Sequence, residues 1–180
     1  MDDVKKSIIE YLKGTIRNVP DFPKKGIQFK DITTLLKEPY ALQLTSDLLK
    51  RPFINKEIDQ VVGLESRGFL FGPRLAQDLN AGFVPIRKPG KLPAEKIEAR
   101  YELEYGEDVI EIHKDAINKG DRVLIHDDLI ATGGSAKAAT ELVKELGGEV
   151  IGYSFIIELE DFRGRNKLPD DGIMDVLISL

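Results

Sequence analysis

The run Val123-Leu124-Ile125-His126-Asp127-Asp128-Leu129-Ile130-Ala131-Thr132-Gly133-Gly134-Ser135 combines an acidic pair, two hydroxyls and two adjacent glycines. Its apolar start reads as a buried strand that ends at the two carboxylates. A short loop of small residues follows, and Ala136 to Leu146 reads as a helix closed by Gly147-Gly148. The first amides of a helix have no partner within it and carry the positive end of its dipole. Gly133 and Gly134 let several amides face one anion, and Thr132 and Ser135 add hydroxyl donors. A phosphate monoester satisfies that set. Asp127 and Asp128 repel phosphate; they accept hydrogen bonds from the hydroxyls of a sugar, or hold Mg²⁺ through water. The bland alternative is an α/β turn with no ligand. The chain has no Gly-x-x-x-x-Gly-Lys-Ser/Thr, and no Gly-x-Gly-x-x-Gly after a strand, which argues against a nucleoside triphosphate or a dinucleotide.

Two further groups could hold anions. Glu65-Ser66-Arg67-Gly68 follows a short apolar strand and precedes a helix, a second turn of the same design, where Arg67 offers a planar fork for phosphate. Arg87, Lys88 and Lys91 are clustered cations in a chain whose net charge is −5. Alone, an arginine such as Arg67 is more often a surface ion-pair partner, and Arg87, Lys88 and Lys91 read equally as a solvated charge run. His113 and His126 are the only histidines. Neither has the spacing of a metal site, and His126, inside the apolar strand, reads as a core residue with a satisfied ring.

The elements that must position these groups follow from periodicity. Residues 2–17, 39–50 and 69–79 read as helices. Residues 60–64, 82–86, 150–159 and 174–178 read as strands, and Val109 to Ile112 as a strand in a hairpin. Strands separated by helices predict one α/β domain over residues 1–180: an open parallel sheet flanked by helices. Residues 18–36 are expected to form a small N-terminal hood over the carboxyl edge of the sheet, where such folds bind ligands. Residues 89–106, rich in charge and poor in aliphatics, are expected to be a long mobile loop. With 180 residues, 42% hydrophobic, the chain can bury a substantial core. It has no cysteine, so disulfides and thiolate metal sites are excluded. The acidic balance argues against nucleic acid as a partner. No apolar run has the length of a membrane span, and no secretory signal is visible, so the expected location is cytoplasmic.

Val123 to Ser135 resembles the phosphoribosyl-pyrophosphate (PRPP) motif of the type I phosphoribosyltransferases. Residues 22–32, 63–72, 86–93 and 101–106, in that order, narrow the resemblance to the adenine phosphoribosyltransferase family, over about residues 19–168. The resemblance implies purine salvage: transfer of the phosphoribosyl group of PRPP to adenine, giving AMP and pyrophosphate, with Mg²⁺ held mainly by PRPP, in a homodimer. It implies that Asp127, Asp128, Ala131, Thr132, Gly133, Gly134 and Ser135 bind the ribose and 5′-phosphate. Ser66, Arg67, Arg87, Lys88 and Lys91 would bind pyrophosphate. Gln28, Phe29, Lys30 and Leu129 would bind adenine, with the backbone of Gln28 and Lys30 reading its amino edge. Glu104 would be the catalytic residue; the residues alone do not separate it from Glu102. An enzyme for 6-oxopurines and a PRPP-sensing regulator stay open as alternatives. No chemistry is assigned to Glu158–Leu168.

Overall fold

The structure is a computed structural model that describes residues 2–103 and 106–180. The chain divides into two compact units, Met1–Leu48 and Leu49–Leu180. The first is longer than the segment expected as a hood. It contains helix α1 (Asp2–Thr15), strands β1 (Arg17–Pro20) and β2 (Gln28–Asp31), helix α2 (Thr33–Lys37) and most of α3 (Pro39–Lys50). Strands β1 and β2 form a two-stranded antiparallel ladder, pairing Val19 with Phe29 and Asn18 with Lys30. Pro39 opens α3, a position where its missing N–H costs nothing.

The second unit holds β3 (Gln60–Leu64), α4 (Gly72–Asp78), β4 (Gly82–Ile86), β5 (Lys96–Leu103), β6 (Gly106–His113), β7 (Arg122–Ile130), α5 (Gly134–Glu145), β8 (Glu149–Glu158) and β9 (Ile173–Ser179). Five parallel strands lie in the order β4-β3-β7-β8-β9, so β3 and β7 carry their carboxyl ends side by side near the middle. Val123 and Ile125 on β7 pack with Ala139, Leu142 and Val143 on α5, all within 2% of full burial. Each of the valine, isoleucine and leucine side chains contributes about 1.5–3 kcal/mol of burial free energy.

Three expectations need correction. First, β7 does not end at the acidic pair but continues to Ile130, because Leu129 and Ile130 keep their pairing with Ile157 and Glu158 of β8. Second, the helix expected over 69–79 begins only at Gly72; Arg67–Phe69 is a separate single turn. Third, the segment expected as a loop over 89–106 contains β5, paired with β6 along its length from Lys96↔His113 to Leu103↔Gly106. Charge-rich composition hides a period-two pattern there. Ile97, Ala99 and Tyr101 pack on the core, while Glu98, Arg100 and Glu102 alternate with them.

Candidate active site

The acidic pair and the turn after β3 meet at the carboxyl end of the sheet. A side chain on Gly68 would come within 2.8 Å of the His126 carbonyl oxygen and 3.3 Å of Asp127 Cα, so only glycine lets this turn lie against β7. Its neighbour Arg67 reaches Asp128, with Nε 3.1 Å from Oδ2. Asp128 is buried. Asp127 is half-buried, and its Oδ1 accepts the Asp128 backbone N–H at 2.8 Å. Burial raises the Asp127 carboxyl well above the usual carboxylate range, and the adjacent Asp128 charge raises it further. Burial also raises Asp128, against the pull of Arg67. Two carboxyls held in this way offer acceptor oxygens suited to hydroxyls.

The loop that follows leads into a helix N-terminus, where free amides can face an anion. Gly133 has φ +75, and α5 starts behind it, with the Lys137 N–H donating to the Gly133 carbonyl at 3.0 Å. A cavity of about 200 Å³ opens here, lined among others by Leu129, Ala131, Thr132, Gly133, Ser135 and Tyr101. The first five were singled out from the sequence; Tyr101 was not. The hairpin reaches the loop because Gly134 has no side chain: a Cβ there would lie 3.1 Å from the Tyr101 ring and 3.2 Å from the Glu102 carbonyl.

The expected pyrophosphate cations are gathered, but each already has an acidic partner. Glu65 Oε2 accepts from Arg87 Nε at 3.0 Å and from the Lys88 backbone N–H at 2.9 Å, and its Oε1 pairs with Lys91. Lys88 Nζ pairs with Asp108 and donates to the Tyr101 hydroxyl at 3.0 Å. Ser66 is exposed at the start of the turn. Any anion that binds these cations must compete with Glu65 and Asp108 for them. Glu65 was visible in the sequence beside Arg67. Asp108 had no signal, because its partner lies across a non-local pairing.

Glu65 makes a measurable prediction. Burial would raise its carboxyl, but hydrogen bonds from Lys91, the Lys88 backbone and Arg87 outweigh it and bring the pKa to about 2. A depressed carboxyl stabilises the fold above its unfolded value of 4.5, and that contribution is lost as pH falls from there toward 2. Thermal unfolding between pH 5 and 2 should therefore show a shallower acid loss in Glu65→Gln than in the parent. Parallel curves would refute the assignment.

Known proteins share this geometry and sequence. Residues 32–178 match the phosphoribosyl transferase domain family. A curated adenine phosphoribosyltransferase of Koribacter versatilis is 59% identical over 166 residues, covering 92% of this chain and 91% of its own. The crystal structure of adenine phosphoribosyltransferase from Rhodothermus marinus superposes with a TM-score of 0.93 at 54% identity, covering 97% of this chain and 99% of its own. The Saccharomyces cerevisiae enzyme, crystallised with D-2,5-dideoxy-2,5-imino-altritol 1,6-bisphosphate and adenine, superposes at 0.89 with 46% identity, covering 96% and 99%. The chain belongs to the adenine phosphoribosyltransferase family.

The remaining residues singled out from the adenine phosphoribosyltransferase resemblance are distributed as follows. Gln28, Phe29 and Lys30 lie on β2 in the first unit, and Leu129 on β7 in the second. Phe29 meets Phe22 edge-on with centroids 5.1 Å apart. The Gln28 side chain accepts from Asn18 Nδ2 at 2.7 Å, and Lys30 Nζ donates to Asn18 Oδ1 at 3.1 Å. In an antiparallel ladder alternate residues turn their N–H and C=O the same way, so Gln28 and Lys30 present theirs to one edge. Glu104 lies outside the described residues. His126 is a core residue, as expected, but only half satisfied. Its Nδ1 lies 3.0 Å from the Ser154 carbonyl, whereas Nε2 has no partner among the described residues. Burial brings its pKa to about 4, so the ring is neutral.

Proposed function

We propose that the protein transfers the phosphoribosyl group of PRPP to adenine, releasing AMP and pyrophosphate. Family membership and the cavity at the start of α5, beside the acidic pair of half-buried Asp127 and buried Asp128, support this reading. The loop amides with Thr132 and Ser135 take the 5′-phosphate, fixing C1′ relative to the incoming nitrogen. Asp127 and Asp128 accept hydrogen bonds from the ribose hydroxyls. Arg67, Arg87, Lys88 and Lys91, with Ser66, receive the departing diphosphate, where negative charge develops as the C1′–O bond breaks. Tyr101 of β5, which lies against Gly134 at the loop, helps to keep water from the cationic sugar. The backbone of Gln28 and Lys30 accepts and donates along the adenine edge, against Phe29. A 6-oxopurine would set acceptor against acceptor, at a cost of about 1–3 kcal/mol.

Among the described residues no three His, Cys, Asp or Glu side chains converge as a metal cage. The hard oxygens of Asp127 and Asp128 nevertheless fit a Mg²⁺ bound through water, with the substrate supplying its other ligands. When bound, Mg²⁺ neutralises diphosphate charge. Among the described residues no helix is long and apolar enough to cross a membrane. The proposal extends, on the resemblance, to a cytoplasmic homodimer.

The test is AMP formation from PRPP and adenine with and without Mg²⁺, alongside guanine, hypoxanthine and xanthine. Mg²⁺-dependent turnover of adenine, with the 6-oxopurines at least about tenfold slower, is expected. Faster use of a 6-oxopurine would reassign the base pocket, and binding of PRPP with no pyrophosphate release would make the protein a sensor.

A further inference from the structure

The segment after β8 touches the anion-binding loop from behind. It runs through one helical turn at Glu160–Phe162, reverses at Arg163 with φ +49, and continues in a second turn at Gly164–Lys167. The backbone of Gly164 lies against that of the loop. A Cβ on Gly164 would overlap the Ala131 carbonyl oxygen and lie 2.8 Å from the Gly133 nitrogen. A Cβ on Gly133 would overlap the Gly164 carbonyl oxygen. Two glycines thus cross at backbone contact, one of them inside the loop.

The crossing is pinned on three sides. Glu158, the last residue of β8, is buried and stands in register with Ile130, the residue immediately before the loop. Its carboxylate takes a two-pronged pair from Arg165, with Nε to Oε1 at 2.7 Å and the second nitrogen on Oε2. The Leu159 N–H donates to the Ile130 carbonyl at 3.0 Å. Leu168 is buried in the core cluster. A buried carboxylate is costly unless paired with such geometry, and the fork of arginine fixes orientation as well as charge.

We propose that Glu158, Arg165 and Gly164 are positioning residues, which hold the backbone of Ala131–Gly133 in the shape that binds the 5′-phosphate. The proposal rests on the reading of that loop as the phosphate site. Gly164 has no left-handed φ, so alanine is tolerated by its own backbone and acts only by pushing Ala131 and Gly133. Glu158→Gln is nearly isosteric and leaves a half-exposed Arg165 to solvent.

The experiment measures KM for PRPP, KM for adenine, AMP affinity by calorimetry and thermal midpoint, in the full chain. Gly164→Ala should raise KM for PRPP and weaken AMP by about tenfold or more, since small misplacements at a binding loop have effects of that order. Glu158→Gln should do so by about threefold. KM for adenine should stay within about twofold in both. A fall in thermal midpoint with both substrates unaffected, or equally affected, would overturn the proposal and leave a merely structural pair. Should Gly164→Ala fail to fold, Glu158→Gln decides alone. Thr132→Ala combined with Ser135→Ala separates the two readings. If that variant leaves AMP affinity intact, the loop is not the phosphate site and the proposal falls with it. If it weakens AMP while the Glu158 and Gly164 variants do not, only the positioning role is lost.

Discussion

Replacing Asp127 by asparagine should make the protein more stable and worse at binding PRPP. The Asp127 carboxyl is raised by burial and by the charge of Asp128. A group raised on folding contributes full stability only below its unfolded value of 3.8, and that contribution is lost as pH rises through the folded value. At neutral pH the carboxylate therefore works against the fold. Asparagine keeps an oxygen for the Asp128 N–H, 2.8 Å away, and removes the charge. A gain of about 1 kcal/mol would raise the thermal midpoint by about 2–4 °C in a chain of this size. The gain should shrink toward pH 4, where the parent carboxyl is protonated and the two proteins converge. Charge-assisted hydrogen bonds to ribose hydroxyls contribute about 1.5–3 kcal/mol each, so PRPP affinity should fall about tenfold to a hundredfold. Thermal melts across pH and PRPP titrations test both halves. A lower midpoint with unchanged PRPP affinity would show Asp127 to be an ordinary structural acid.

The same pair shows what the sequence made legible. The acidic doublet, the glycines and the hydroxyls are contiguous, so the segment stands out in the sequence, and the 200 Å³ cavity brings Leu129 and four of the loop residues together. The strand continuation through Asp127–Ile130 could not be read the same way. Two charges in an apolar run look like a boundary, yet pairing with β8 continues past them to Glu158. Charge also misled the reading of residues 96–103, where every second residue is apolar and the others are solvated.

Partners distant in sequence were the illegible part. Lys88 stands out in the sequence as one of three clustered cations, and its partner Asp108, twenty residues on, does not. Gly164 carries no pattern at all; its requirement exists only because Gly133 lies opposite. His126 could be placed in the core from its apolar neighbours, whereas the lack of an Nε2 partner among the described residues depends on what packs around the ring.

Glu104→Gln should cut turnover with adenine by about 10²-fold or more while PRPP binding persists. Glycosidic bond formation at a purine nitrogen requires that its proton be taken away, and a positioned carboxylate contributes about 10²–10⁴-fold to such a step. Glutamine has the shape of the acid without its basicity. The competing carboxylate is Glu102, which shares the same alternation in the sequence. Glu102 is exposed. It lines a separate cavity of about 330 Å³ with Arg100, Lys137, Glu141 and Lys167, where long charged side chains meet solvent. Glu102→Gln should therefore leave turnover within about threefold of the parent, the modest effect of a surface charge. The two variants measured side by side separate the roles. In the parent, kcat should fall at acid pH as the base is protonated, and that limb should vanish in Glu104→Gln. Loss of activity in Glu102→Gln with Glu104→Gln unaffected would move the base by two residues, and unchanged turnover in both would remove a glutamate from the mechanism.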